Sequence, residues 1–180
     1  MGIQGQGADR TIEFYPKEGK YHYDGHRKCD VSQHPAVTLE RGERCPVCGR
    51  KLTVGLLNRM EALARRPDSA VQRDDGANVD PAGRRPPFRW LVLLDEIIAE
   101  ALGRASNTKG VRALYDQLIV GIGPEIAILE TATSDAVAGA VDHASAARIA
   151  DGVIRACLGN IDVQPGYDGV YGTVRLGPVG

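Results

Sequence analysis

One histidine and three cysteines constrain this chain more than anything else in it. His26 and Cys29 are separated by two residues, Cys45 and Cys48 by two, and fifteen residues lie between the pairs. Two residues between ligands let a tight turn aim both side chains at one ion. The spacing between the pairs is that of a zinc ribbon, with His in the first position. Pro46 and Gly49 in Cys45-Pro-Val-Cys48-Gly support such a turn, because Pro presets one dihedral and Gly allows positive φ. Three thiolates and an imidazole suit Zn2+ in a closed tetrahedron. A closed shell has no position for water, so the expected role is structural, not catalytic. His22 or His34 could replace His26 as the fourth ligand, an iron site is the competing metal, and the bland alternative is free cysteines beside an unrelated His. Cys157 sits among Val153, Ile154 and Leu158 and reads as a small buried hydrophobe. The first fifty or so residues hold few large apolar groups, so this part is expected to fold only with metal, worth roughly 10–16 kcal/mol in small zinc modules.

Around that site the pattern predicts an α+β chain of two units. Residues 11–16 and 20–23 read as a short hairpin, 25–51 as loops carrying the ligands, and 52–66 as an amphipathic helix with Leu56, Leu57, Met60 and Leu63 or Ala64 on one face. Together, residues 1–66 form a zinc-ribbon-like unit with a trailing helix. Residues 67–89 begin PDSAVQRDDGANVDPAGRRPP, nearly devoid of large apolar groups, and read as a flexible linker. Residues 90–180 read as a mainly helical domain. Helices are expected over 90–102, ended by Gly103, over 108–120 with Asn107 or Thr108 as cap, from Pro124 to Leu129, from Ser134 or Asp135, and from 144 to 158. The tail, with Gly166 and Gly169 among strand-forming residues, predicts a β-hairpin.

Charge is unevenly spread. Residues 1–89 hold 16 Lys and Arg against 12 Asp and Glu, and residues 90–180 hold 6 against 11, in a chain of net charge -1. The basic excess lies with the cysteines and points to a polyanion partner. Two groups are candidates for phosphate contact. Arg27, Lys28, Arg44, Arg50 and Lys51 flank the ligands, where they would also offset thiolate charge. Arg104, Asn107, Thr108 and Lys109 lie in a turn between two helices, at a helix N-terminus where free N–H groups favour anions; the turn looks like that of a helix-hairpin-helix. With four histidines in all, the chain lacks the His, Asp and Glu set of a two-metal phosphoesterase. It has no phosphate-cradling glycine loop with Lys and no Gly-x-Ser-x-Gly elbow. The first ten residues lack an apolar run, and the longest such run, Trp90–Leu94, is far short of a membrane span, so the expected location is the cytoplasm.

Four segments in order, TIEFYPKEGKYHYDGHRKC from residue 11, CPVCGRKLTVGLLNRMEALARRP from residue 45, PPFRWLVLLDEIIAEALG from residue 86 and PGYDGVYG from residue 165, resemble the C-terminal part of the endonuclease Q family. The resemblance runs from about residue 11 to 176. It implies a zinc-binding part followed by a helical part, which in that family follow a PHP catalytic domain and serve DNA repair by nicking 5′ to deaminated bases such as uracil and hypoxanthine, or at abasic sites. It maps the zinc ligands onto Cys29, Cys45, Cys48 and His26. It departs from the family pattern in that no PHP domain, with its metal-binding histidines and acids, occurs in these residues.

The leading expectation is therefore a DNA-binding, non-catalytic portion of an endonuclease Q-like nuclease, not active alone. Catalysis would come from a PHP chain in trans, and the chain would be a split gene product, a truncated frame or a stand-alone module. A zinc-dependent protein–protein adaptor or decayed fragment is the alternative, and an active endonuclease the third. Salt dependence of DNA binding separates the first two; metal-dependent nicking marks the third.

Overall fold

The computed structural model of the chain describes residues 10–64, 72–74 and 77–176. It is mixed α+β, as the sequence pattern predicts: helices dominate the second half, and short strands lie in small sheets. The first half contains β1 (Thr11–Phe14), a 3-10 turn at Pro16–Glu18, β2 (Asp24–His26), a second 3-10 turn at Arg27–Cys29, β3 (Val31–Gln33), α1 (Pro35–Arg41) and α2 (Leu56–Leu63). Then come β4 (Gln72–Asp74), β5 (Ala77–Val79) and β6 (Phe88–Leu91). The helices α3 (Leu94–Leu102), α4 (Lys109–Gly121), α5 (Glu125–Thr131), α6 (Ser134–Ala140) and α7 (Ala146–Cys157) precede a hairpin of β7 (Asp162–Gln164) and β8 (Thr173–Arg175).

The core is built by the helices. Leu94, Ile97, Ile98, Val111, Leu118, Ile128, Val137, Ile149 and Val153 are fully enclosed. These are the inward positions of the helical periodicity, and their burial is what makes short helices persist. Gly152 of α7 permits close approach to α3: a Cβ there would lie 2.8 Å from Ile97 and 2.9 Å from Leu176. The start of α3 has no side-chain cap of its own. Instead Glu125, from α5, accepts from the Leu94 N–H at 2.7 Å and from the Tyr115 hydroxyl at 3.0 Å. Gly103 ends α3 in the left-handed region with φ 62°. The Cys157 thiol donates to the Leu129 carbonyl at 2.7 Å and packs against the core.

Three local expectations fail for a common reason, that non-local pairing wins over local pattern. Residues 11–16 and 20–23 do not form a hairpin. β1 pairs in parallel with β6, Thr11 opposite Phe88 and Phe14 opposite Leu91. The backbone of 21–23 is taken by α2 and the tail, since Tyr21 and His22 carbonyls accept from Leu56 and Leu57 and the Tyr23 N–H donates to Gly166. The helix expected over 52–66 starts only at Leu56, because Leu52 and Thr53 pair with Glu43 and Gly25; Arg65 and Arg66 lie outside the described residues. Its apolar stripe is not buried either: Leu56 is 65%, Met60 55% and Leu63 61% exposed. The helix expected from 90 starts at Leu94, because Trp90 and Leu91 are in the sheet.

The stretch 67–89, expected to be a flexible linker, carries β4, β5 and the first residues of β6 in a sheet of order β1-β6-β5-β4. Residues 67–71 and 75–76 of that stretch lie outside the described ones. Backbone pairing in a polar hairpin needs little apolar surface, so composition does not reveal it. The parallel β1–β6 pair joins the part that carries Cys29, Cys45 and Cys48 to the helical part.

Glu18 marks where the two parts meet. Burial, then the nearby Glu96 of α3, raises its carboxyl to about 7. A carboxyl raised on folding favours the native state below its unfolded value, and that contribution is lost as pH rises through the folded one. Stability measured by chemical denaturation should therefore fall as pH is raised from about 4.5 to about 7, and the Glu18→Gln variant should flatten that fall. An unchanged slope in the variant would exclude Glu18 as its source.

Candidate metal centre and nucleic-acid interface

Two turns bring the ligands together. The first is the β2–β3 hairpin, with His26 at the end of β2 and Cys29 in the 3-10 turn that follows; Asp30, at φ 51°, then reverses the chain into β3. The second is the knuckle 44–51, where the Cys45 N–H donates to Arg50, the Gly49 N–H to Cys45, and Arg44 and Lys51 form an antiparallel bridge. Gly49 has φ 72°, the positive value that glycine allows at this turn. Reciprocal Gly25–Thr53 bonds of 2.9 and 2.8 Å tie one turn to the other.

The result is a group of His26, Cys29, Cys45 and Cys48 whose ligand atoms all lie within 4.8 Å of one another. Cys48 Sγ is 3.4 Å from His26 Nδ1. A tetrahedral ion with metal–sulfur bonds of about 2.3 Å holds its ligands about 3.8 Å apart. The donor set and its dimensions fit one metal ion. Hydrogen bonding to Cys48, burial and the neighbouring Cys45 push the Cys29 thiol up to about 11. Burial opposes ionisation of Cys45, but the N–H groups of Cys48 and Val47, together with His26, outweigh it and hold that thiol down to about 6. The other two candidate histidines are used elsewhere. His22 is buried and stacked on Tyr23, and His34 caps α1 through the Ala36 N–H at 3.2 Å while facing Glu61.

Buried Asp24 fixes α2 beside this centre by accepting from the Gly55 N–H at 2.7 Å and from Asn58 at 3.0 Å. Sequence reasoning also missed a clasp from the far end of the chain. In the β7–β8 loop, Asp168 accepts from the Arg27 N–H at 2.6 Å and from the Thr53 hydroxyl at 2.5 Å. Tyr167 donates to Asp30 at 2.5 Å, and its ring lies where a Cβ on Gly25 would be 2.5 Å away. Burial opposes the Asp168 charge, but Thr53, the Arg27 N–H, the Arg27 guanidinium and His26 hold its carboxyl below the usual range. The only signal in the sequence was the density of Gly and Tyr in PGYDGVYG.

The expected phosphate contacts fall in two places. Arg27, Lys28, Arg44, Arg50 and Lys51 are all exposed around the ligands. Arg44 donates to the Gly49 carbonyl at 3.0 Å and Lys51 faces Glu43 at 3.3 Å, so these two also brace the knuckle. Arg104, Asn107 and Lys109 are exposed between α3 and α4. Thr108 is the N-cap of α4 but its side chain makes no cap bond.

Similarity to known proteins extends over nearly the whole chain. A family model described as the MJ0043 C-terminal domain matches residues 94–150, from the start of α3 into α7. The uncharacterized protein MJ0043 of Methanocaldococcus jannaschii is 30% identical over 167 residues, which is 91% of this chain and 19% of that protein. Two solved structures are similar. The lesion-specific endonuclease PfuEndoQ from Pyrococcus furiosus superposes with a TM-score of 0.69 at 25% identity, over 91% of this chain and 37% of that one. Endonuclease Q in complex with a 27-mer duplex substrate, with an abasic lesion at the active site, gives a TM-score of 0.70 at 26% identity, over 96% of this chain and 40% of that one. The chain thus spans about a fifth of the curated relative it matches and about two-fifths of the solved ones.

Partners of metal ligands hold the ligands in place, and their loss typically weakens metal affinity by about 10- to 100-fold. Asp168→Ala should cause a loss of about tenfold, read by competition with a chromophoric chelator, while Asp168→Asn, which keeps an acceptor oxygen, should lose less. Equal affinity in all three proteins would remove Asp168 from any role at the centre.

Proposed function

We propose that the chain is the DNA-binding, non-catalytic portion of an endonuclease Q-like repair nuclease acting at deaminated bases or abasic sites, with catalysis supplied by a PHP domain in trans. One observation carries this reading: a fold match over nearly the whole chain to an enzyme whose structure holds a lesion-bearing duplex. The metal would be structural Zn2+ held by His26, Cys29, Cys45 and Cys48, because three thiolates and an imidazole leave a tetrahedral ion no open position. Its task is to fix the basic residues Arg27, Lys28, Arg44, Arg50 and Lys51 around it, and Arg104, Asn107, Thr108 and Lys109 form a second contact across the helical part. Among the described residues there is one group of four metal-ligand side chains, and no helix is long and apolar enough to cross a membrane.

A protein–protein adaptor is the second reading. The exposed stripe Leu56, Met60 and Leu63 on α2 favours it, since apolar groups aligned on one helix face commonly meet another protein.

Two experiments test the proposal. Chelation should release one metal ion per chain and abolish protection from hydrogen exchange in residues 22–53 while the core helices α3, α4 and α7 keep theirs; retained protection at 22–53 would show that the fold there does not depend on metal. Duplexes carrying one uracil, hypoxanthine or abasic site should bind without being nicked in Mg2+. Affinity should fall steeply with salt, by a log–log slope near 0.9 per phosphate contacted. Arg104→Glu with Lys109→Glu should weaken binding about tenfold, and unaltered affinity would dismiss the inter-helix turn. Nicking by the chain itself would overturn the non-catalytic assignment, and absence of DNA binding at low salt would favour the adaptor.

A further inference from the structure

The clasp that reaches the metal centre leaves an unusual surface beside it. Tyr21 is 44% and Tyr171 67% exposed, although both rings are large and neither serves the core. The Lys20 ammonium sits 5.6 Å from the centre of each ring. Gly169, at φ 86°, lies at the floor, with the Arg27 guanidinium 3.4 Å and the Tyr21 hydroxyl 3.8 Å from where its Cβ would be. Two exposed tyrosines and two cations, drawn from opposite ends of the chain, thus meet on one patch. Asp168, held by the Thr53 hydroxyl and the Arg27 N–H, offsets part of the Arg27 charge, and the Lys20 ammonium remains beside both rings.

Exposed tyrosines flanking a cation match the π-face of a base next to a phosphate, and base–aromatic stacking adds about tenfold or more in affinity per base. A base inside a duplex hides both faces in the stack, so such a surface discriminates in favour of a base that has lost its partner. We propose that Lys20, Tyr21, Arg27 and Tyr171 form a stacking site for an unpaired nucleobase of a DNA strand, with Lys20 and Arg27 on the adjoining phosphates. This rests on the DNA-binding reading and adds a mode of recognition to it. The loop Gly166–Gly172 then has two tasks, since the bonds that hold the first metal turn also present Tyr171. Gly172 is required at its end, because a Cβ there would collide with the Lys17 carbonyl.

The test compares three labelled probes of one sequence: intact duplex, duplex with an abasic site that orphans one base, and single strand. The full metal-loaded chain should bind the last two about tenfold tighter than the first. Tyr171→Ala and Tyr21→Ala should each abolish most of that preference while leaving intact-duplex affinity within about twofold, and Tyr171→Phe should retain it. Metal content and circular dichroism check that the variants fold. Independently of any variant, 2-aminopurine at the orphan position should lose fluorescence when the unmodified chain binds. Salt-dependent DNA binding with no preference among the probes, or with a preference that survives both alanine changes, or without 2-aminopurine quenching, would overturn the stacking site and leave the DNA reading standing. No DNA binding at low salt would overturn both.

Discussion

Four side chains that could hold one metal ion come from two separate turns, and little apolar surface is available to keep them together. Around His26, Cys29, Cys45 and Cys48 the buried groups are few, and two of them, Asp24 and His22, are polar. The geometry is therefore carried by directed bonds. Gly25 and Thr53 join the two turns, Asp24 docks α2, and Asp168 and Tyr167 hold the first turn from the C-terminal hairpin. Each replaces burial with a hydrogen bond whose partners are already oriented, as expected where a small metal unit cannot stabilise itself by its core.

The hairpin that provides the clasp is itself anchored in the helical part. Val163, Val174 and Leu176 belong to the main core, and Arg155 of α7 donates to the Leu176 carbonyl at 2.9 Å. A path of direct contacts therefore runs from α7 through β7–β8 to the residues beside His26. With the parallel β1–β6 pair it makes two links between the parts. The basic side chains at the metal turns and those between α3 and α4 are consequently held on one framework, which suits a ligand that extends across both.

How much of this was legible in the sequence depended on the range of the interaction. The Cys45–Cys48 knuckle with Gly49, the Gly103 cap of α3 and the helices α3, α4 and α7 are local patterns, legible directly. The helix α1 lies within 25–51, expected to be loop, although Pro35 at its first position is a local signal for it. The hairpin expected from 11–16 and 20–23 contains the right strand, Thr11–Phe14, with the wrong partner, because strand propensity carries no information about a partner seventy-odd residues away. The stretch around Gln72–Val79 looked featureless because its pairing is made by backbone groups that every residue has.

The sequence by itself determined the two paired Cys/His spacings, the helical periodicity of the second half and the α+β character, since each is expressed in spacing over a few residues. Only the tertiary structure decided that His26 is the histidine that joins the three thiols, that α2 leaves its apolar stripe exposed, and that the tail loop braces the metal turn while setting Tyr171 beside Lys20 and Tyr21. Those outcomes depend on which distant backbone groups and side chains meet. Hydrogen bonds and ring contacts between residues more than a hundred positions apart leave no periodic trace in the chain that encodes them.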